Sequence, residues 1–372
     1  MNNRERAMAV LQYESYDRLP VVHFGYWGET LLKWAEEGHI SHDLATSWWD
    51  GSAADRELEQ IIGWDFNWGA CCAGIHCGLI PGFERKVLKE HPDGSREVLD
   101  PQGVIVLEKP GTQGIPSEIG HTLVDRASWE EHYIPRLQWD DQRAPAEAFR
   151  ALPDPATSDR PVGLSAGSMV GVLRNMIGVE GVAYIHADDP ELFEEMVTTI
   201  ADLAVRGAAI AMEHGPRFDF IHFWEDICYK SGPLVSPNVF RDLIAPHYKR
   251  IMDIAHAGGT TLGSVDCDGK IAALVPYWLQ NGVNVMFPIE VGTWHASIAP
   301  WREQYGRELR GVGGMNKVVF AQDRPAIDQE IERLKALVDL GGYIPCPDHR
   351  IAPDAKFDLV CYYCERMRAT FG

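Results

Sequence analysis

The sequence predicts a single (β/α)8 barrel, the TIM-barrel architecture, with a β-rich insertion near its active mouth. Three observations predict it. Short apolar strand patterns recur eight times, mostly separated by helical patterns. Polar residues follow these strands at nearly every carboxyl end. One segment, Pro81 to Arg143, breaks the alternation with a two-residue period and turn dipeptides. Strands alternating with helices imply a parallel sheet covered by helices, and eight such units suggest closure into a barrel. At 372 residues, with 45% hydrophobic and 24% charged residues, the chain could hold two average domains or one large barrel. The count of eight units favours one barrel over residues 1–372, with 81–143 as an elaboration inside it.

In chain order, Asn3 to Glu14 places Ala7, Met8, Val10 and Leu11 at helical spacing, and RLPVVHFG then reads as a buried strand from Leu19 to Phe24. IGWDFNW (Ile62 to Trp68) is the second strand. KVLKEHPDGSREVLDPQGVIVLEKP, inside the insertion, alternates apolar and polar residues around DG and QG turns, as an antiparallel meander does. RPVGLSAG (Arg160 to Gly167) is the third strand. FDFIHFWED (Phe218 to Asp226) follows a helix from Pro190 to His214, and TTLGSVDCD (Thr260 to Asp268) follows one from Pro237 to Ala257. NVMFPIE (Asn284 to Glu290), LRGVGG (Leu309 to Gly314) and GGYIPC (Gly341 to Cys346) complete the eight.

Charge and composition exclude several classes. With 54 acidic against 34 basic residues the formal net charge is −20, and no basic run offsets it. A nucleic-acid backbone or an anionic membrane surface would be repelled. The first twenty residues are charged and amphipathic, without the apolar core of a secretory signal, and no 18-residue apolar run follows, so a cytoplasmic location is expected. Eight cysteines, mostly in apolar settings, fit reduced thiols. Twelve tryptophans, several beside glycines and polar residues, hint at a pocket for a flat or aromatic ligand.

In a (β/α)8 barrel the loops after the strands build the active site. The residues there are His23, Tyr26 and Trp27; Trp64, Asn67 and Trp68; Ser165 and Ser168; and His222, Trp224, Glu225 and Asp226. Asp266, Cys267 and Asp268, then Glu290, Asn316 with Lys317, and Cys346, Asp348 and His349 follow. Any one of these can be a helix cap, but so many buried polar groups together need a common reason. Zinc takes Cys, His and carboxylate ligands and, in a catalytic site, keeps one position open. Adjacent strand residues point to opposite faces, so either Asp266 with Asp268 or Cys267 alone faces the centre. The spacing is looser than that of a CxxC zinc motif. Cys361 and Cys364 do have CxxC spacing, but they lie on an apolar helix without a second pair and read as core thiols. Cys71, Cys72 and Cys77 surround His76 in a glycine-rich loop, which is either packing or pocket lining. GVGG at Gly311 to Gly314 lacks the Lys-Ser/Thr of a phosphate loop, and no GxSxG elbow is present.

The succession ERAMAVLQYESYDRLPV, GSMVGVLRNMIGVEGVAYIHADDPELFEEM, EDICYKSGPLVSPNVFRDLIAPHYKRI, VDCDGKIAALVPYWLQNGVNVMFPIEV, GGMNK and GGYIPCPDHRIAPD resembles the uroporphyrinogen decarboxylase-like superfamily over essentially the whole chain. The resemblance implies one (β/α)8 barrel and one of two chemistries. True decarboxylases of the family carry an arginine-rich RQAGRY-type segment for the carboxylates of a tetrapyrrole; here the region reads VVHFGYWGETLLKW, without arginine. The other branch exchanges a methyl group with the cobalt of a corrinoid protein. Its thiol-specific members hold zinc with a His-x-Cys pair and a later Cys. Here Asp266 and Asp268 occupy the pair's positions, Cys346 falls where the later cysteine would, and Glu290 supplies a further carboxylate. The long form with GGYIPxxDH looks more like members that demethylate methoxylated aromatics.

The resemblance therefore implies a methyltransferase of the O-demethylase type, with ligands for zinc expected in Asp266, Cys267, Asp268, Glu290 and Cys346. Asp226, Asp268 and His349 are expected to be catalytic, and His23, Tyr26, Trp27, Trp68, His76, Ser168 and Trp224 to line the substrate pocket. A corrinoid-binding protein and a small-molecule methyl donor are the expected partners. Competing readings are decarboxylation of a porphyrinogen or small aromatic carboxylate, methylcorrinoid:thiol transfer, and a ligand-binding barrel without turnover. The substrate, the direction of transfer and the oligomeric state are not written in the sequence.

Overall fold

The first helix, Asn3–Gln12, starts at a capping box: the Asn2 side chain accepts the Glu5 N–H while Glu5 accepts the Asn2 N–H. Its buried Ala7, Met8, Val10 and Leu11 share one core with Val22, Phe66, Phe220, Leu262, Val285, Val312 and Ile344, which alternate inward along successive strands. Arg310, at the start of its strand, donates to the Leu11 carbonyl at 2.6 Å. The helix therefore plugs the amino-terminal end of the barrel and leaves the carboxyl end open for a site. The computed structural model describes residues 1–110, 116–292 and 294–372.

Seven parallel strands run in the spatial order Tyr343–Pro347, Arg310–Met315, Val285–Phe287, Gly263–Asp266, Phe220–Trp224, Gly163–Ser165 and Cys72–Gly74. Val22–His23 pairs in parallel with Phe66–Asn67. A short 3-10 turn, Gly69–Cys71, separates Phe66–Asn67 from Cys72–Gly74, so the two pieces form one barrel position. The first and last strands neighbour each other, and past their ends a parallel bridge joins Tyr26 to Ile351. Every range read from the sequence contains a strand, although Arg310–Met315 and Tyr343–Pro347 each run one residue past theirs and the second position continues beyond its range in Cys72–Gly74. The helix Pro190–His214 matches as well, whereas the run from Pro237 to Ala257 is interrupted by a π-helical turn, Phe240–Ile244. Among the described residues no helix is long and apolar enough to cross a membrane.

The insertion contains an antiparallel sheet of Lys86–Glu90, Arg96–Leu99, Val104–Glu108 and Ser117–His121. Gly94 and Gly103, from the DG and QG pairs, adopt the positive φ that such turns require. Residues 111–115 of the expected elaboration lie outside the described ones. The insertion leaves the barrel at the carboxyl end of Cys72–Gly74. It meets the helix Gly171–Asp188 where Gly178, at φ 71°, kinks beside the His121 ring.

Candidate active site at the carboxyl ends of the strands

Strand parity decides what enters the mouth. Ser264 is in register with His222, and Asp266 with both Trp224 and Phe287. Asp226 follows Trp224 with φ 45°, a left-handed backbone uncommon for a residue with a side chain, and such outliers cluster at functional sites. Asp226, Asp266 and Asp268 bring carboxylate oxygens within 4.8 Å of one another. The Asp268 N–H donates to Asp226 Oδ1 at 3.2 Å, and Arg174 stands 3.9 Å from Asp226 Oδ2. His349 Nε2 lies 3.3 Å from Asp268 Oδ2. Trp27 stacks on the His349 ring at 5.7 Å and 14°, and Phe24 meets it edge-on.

The acids strain against one another. Burial, then the Asp268 charge, pushes the Asp226 carboxyl above the usual carboxylate range. Burial and the charges of Asp226 and Asp268 push Asp266 well above it. Glu290 is raised by burial and by Asp268. Asp268 Oδ1 and His349 Nδ1 are buried and lack hydrogen-bond partners among the described residues. Carboxyls raised in this way, as those of Asp226 and Asp266 are, suit a general acid or the reception of a divalent cation. The orphaned Asp268 oxygen, two further carboxylates and an imidazole fit a zinc ion held by nitrogen and oxygen, and a harder divalent ion equally well.

Several residues expected in the site lie elsewhere. Cys267 is in register to face outward and packs in the layer between strands and helices, so the Asp266 and Asp268 alternative holds. Cys346 is fully buried among Val22, Phe66 and Ile344 inside the barrel, and burial drives its thiol pKa well up. Among the described residues it does not join the carboxylate group, and His349, three residues on, meets Asp268 instead. Glu290 accepts the Gly269 N–H at 2.7 Å and the Trp294 indole N–H, bracing the loops beside the carboxylate group rather than joining it. Asp348 accepts the N–H groups of Val291, Gly292 and Lys317, which ties three loops together.

Of the expected substrate contacts, Trp27 and Trp224 are at the mouth, Trp224 beneath the Arg174 guanidinium at 5.7 Å. Ser168 is not available for substrate. Its hydroxyl donates to Glu225 Oε2 and accepts the Val172 N–H, while Glu225 also accepts from Met169, Val170, Gly171 and Tyr248. Together they cap the helix Gly171–Asp188. Trp68 is an interior core residue stacked on Phe220 at 4.7 Å. His76 is exposed and folds back to its own loop, 3.4 Å from the Leu79 carbonyl. His23 and Tyr26 lie behind the first strands: His23 forms a second acid group with Asp55 and Glu59, and Tyr26 packs on Trp34 and Trp48. Sequence reasoning missed Phe24 and Phe287 as mouth residues, although strand parity marks both. Arg174 lies on a helix and carried no local signal.

A (β/α)8 barrel whose mouth holds an acidic cluster between aromatic walls defines a class of barrel enzymes. The chain belongs to the uroporphyrinogen decarboxylase (URO-D) family, whose profile matches residues 115–369. Among solved structures, a methyltransferase from Methanosarcina mazei is 16% identical, with 100% of this chain and 99% of that one covered at a TM-score of 0.61; the likeness lies in the fold. A B12-independent methionine synthase from Shewanella sp. W3-18-1 is 13% identical, covering 95% of this chain and 98% of its own at a TM-score of 0.45. No curated protein sequence matches the chain.

Proposed function

We propose that this barrel is a corrinoid-dependent methyltransferase that moves a methyl group from a methoxylated aromatic substrate to the cobalt of a corrinoid carried by a partner protein. The observation that carries this reading is the pairing of an uncompensated carboxylate cluster with aromatic walls at one mouth. Trp27, Phe24, Phe287 and Trp224 offer flat apolar faces to a ring. Asp226, Asp268 and His349 stand where a leaving oxygen needs a proton or a positive field.

Each partner has a defined task. The methyl carbon passes to cobalt, and the ether oxygen keeps the electron pair of the broken C–O bond. Asp226, whose carboxyl is pushed above the usual carboxylate range by burial and then by the Asp268 charge, is placed to deliver a proton to that oxygen. His349, clamped under Trp27 and against Asp268, orients the cluster. Asp226, Asp266 and Asp268, with His349 beside Asp268, are the residues that would hold a divalent metal, zinc in this reading, and a metal so held would supply Lewis acidity to the ether oxygen in place of the Asp226 proton. A porphyrinogen polyanion suits this mouth poorly, because Arg350 is already paired with Asp50 and Arg174 stands beside Asp226.

The test combines elemental analysis of protein purified without chelator with methyl-transfer assays using a corrinoid protein and several methoxylated arenes. Stoichiometric divalent metal and turnover are expected, and Asp226→Asn, which keeps the shape and removes the titratable proton, should cost on the order of 10²-fold or more in rate with folding intact. No transfer from any methoxylated arene would overturn the reading. An unchanged rate in Asp226→Asn would move the proton-donating role to His349.

A further inference from the structure

Below the carboxylates the barrel interior does not turn uniformly apolar. Ser165, His222 and Ser264 occupy matching positions on three neighbouring strands, one inward step deeper than Asp266. Ser264 is fully buried, and its hydroxyl meets His222 Nδ1 at 3.2 Å. Phe220 and Phe287 present edges to the His222 ring at 6.3 and 6.1 Å. The imidazole is thus locked in orientation from three sides. Its Nε2 and the Ser165 hydroxyl hydrogen-bond to nothing among the described residues, yet both side chains keep some accessible surface. Burial holds the His222 pKa down to about 4, so the ring is neutral at pH 7. Two polar atoms left free and partly accessible, on neighbouring strands in register, are open to a ligand that can donate to or accept from them.

We propose that His222 and Ser165 form the floor of the substrate pocket and select a neutral hydroxyl on the aromatic ring of the methyl donor. This rests on the methyl-donor reading above and adds the substrate class it would favour. Two residues along a strand span roughly 7 Å, so a substrate with its methoxy group at the carboxylates reaches this floor across one ring. A neutral imidazole beside a serine satisfies a hydroxyl, whereas a substrate carboxylate would bring an unpaired charge into an apolar interior. His222 is therefore a specificity-determining residue, distinct from the acids that handle the leaving oxygen.

Tryptophan fluorescence titrations with the three methoxyphenols, methoxybenzene and a methoxybenzoate test this in the wild type, His222→Phe, His222→Gln and Ser165→Ala. The wild type should bind one methoxyphenol isomer about tenfold more tightly than methoxybenzene, the effect of one well-made buried hydrogen bond. His222→Phe should erase that preference while leaving methoxybenzene binding within about twofold. His222→Gln, which can still donate and accept, should keep part of it, and circular dichroism melts confirm that each variant is folded. Unchanged preference in folded His222→Phe and His222→Gln, or tightest wild-type binding to the methoxybenzoate, would overturn the floor while leaving methyl transfer standing. Failure of every methoxyarene to bind or react would overturn both readings together.

Discussion

Two acid groups flank the same barrel, and their surroundings differ. Behind the first strands, His23, Asp55 and Glu59 are buried within 4.8 Å of one another, as Asp226, Asp266 and Asp268 are at the mouth. In the rear group the carboxylates are saturated with donors. Asp55 accepts from the Trp48 indole, the Gly51 N–H and Asn67; Glu59 accepts the Asn67 N–H and the Arg160 guanidinium. At the mouth, Asp226 accepts one backbone N–H, Asp266 has no side-chain partner among the described residues, and one oxygen of Asp268 has none. Two clusters with similar ligand counts therefore differ in the hydrogen-bonding capacity they have left over. Saturated acids hold elements together, while unsaturated acids store unfavourable charge that a substrate, proton or metal can relieve.

The contrast breaks first at Glu59. Glu59→Gln keeps the shape but leaves the half-buried Arg160 with only the exposed Asp159 as counter-ion, and about 2 kcal/mol of stability should be lost, read as a lower urea midpoint at unchanged slope. Methyl transfer by the protein that remains folded should stay near wild type; a stable but inactive Glu59→Gln protein would mean that the rear group is functional after all.

A pH titration of stability sharpens the comparison further inside the barrel. His222 is neutral when folded down to about pH 4 but protonates near its ordinary 6.5 when unfolded. The unfolded chain therefore binds more protons between these values, and His222's contribution is complete above about pH 6.5 and lost as pH falls to about 4. At most about 3 kcal/mol is at stake. Comparing chemical unfolding at pH 7 and pH 4.5 in the wild type and His222→Gln isolates it: the drop should be smaller in the variant, and identical drops would contradict a buried neutral imidazole.

The smallest effect has the opposite sign. Asp266→Asn removes one of three mutually repelling carboxylates without changing shape, so the metal-free protein should gain about 1 kcal/mol while activity falls. A loss of stability on this substitution would show that Asp266 is paired like the rear acids. Thermal melts of chelator-treated protein at neutral pH decide between the two.

Much of the barrel was readable in advance because strand and helix periods are local properties of the chain. The eight strands, the meander around Gly94 and Gly103, and the Asp266 and Asp268 parity all follow from side chains alternating at fixed spacing. Parity set Cys267 against the two aspartates, but all three stayed candidate ligands until the fold placed Cys267 in the layer between strands and helices. Depth was not readable. Cys346 and His349 are three residues apart in a stretch of similar polarity, yet one is sealed in the core and the other reaches Asp268. Nor was partnership readable: Ser168 and His23 end their strands as a catalytic residue would, but one is committed to a helix cap and the other to the rear group.

The architecture and the general position of the site thus belong to local pattern, which covalent geometry imposes within a few residues. The chemistry of the site depends on which polar groups find partners, and those partners lie far away in the chain. Asp50 meets Arg350 across 300 residues, Ser168 meets Glu225 across 57, and Asp226 meets the Asp268 N–H across 42. Only folding reveals which donors have been used, and the acids left without them at the mouth are the ones with free capacity for chemistry.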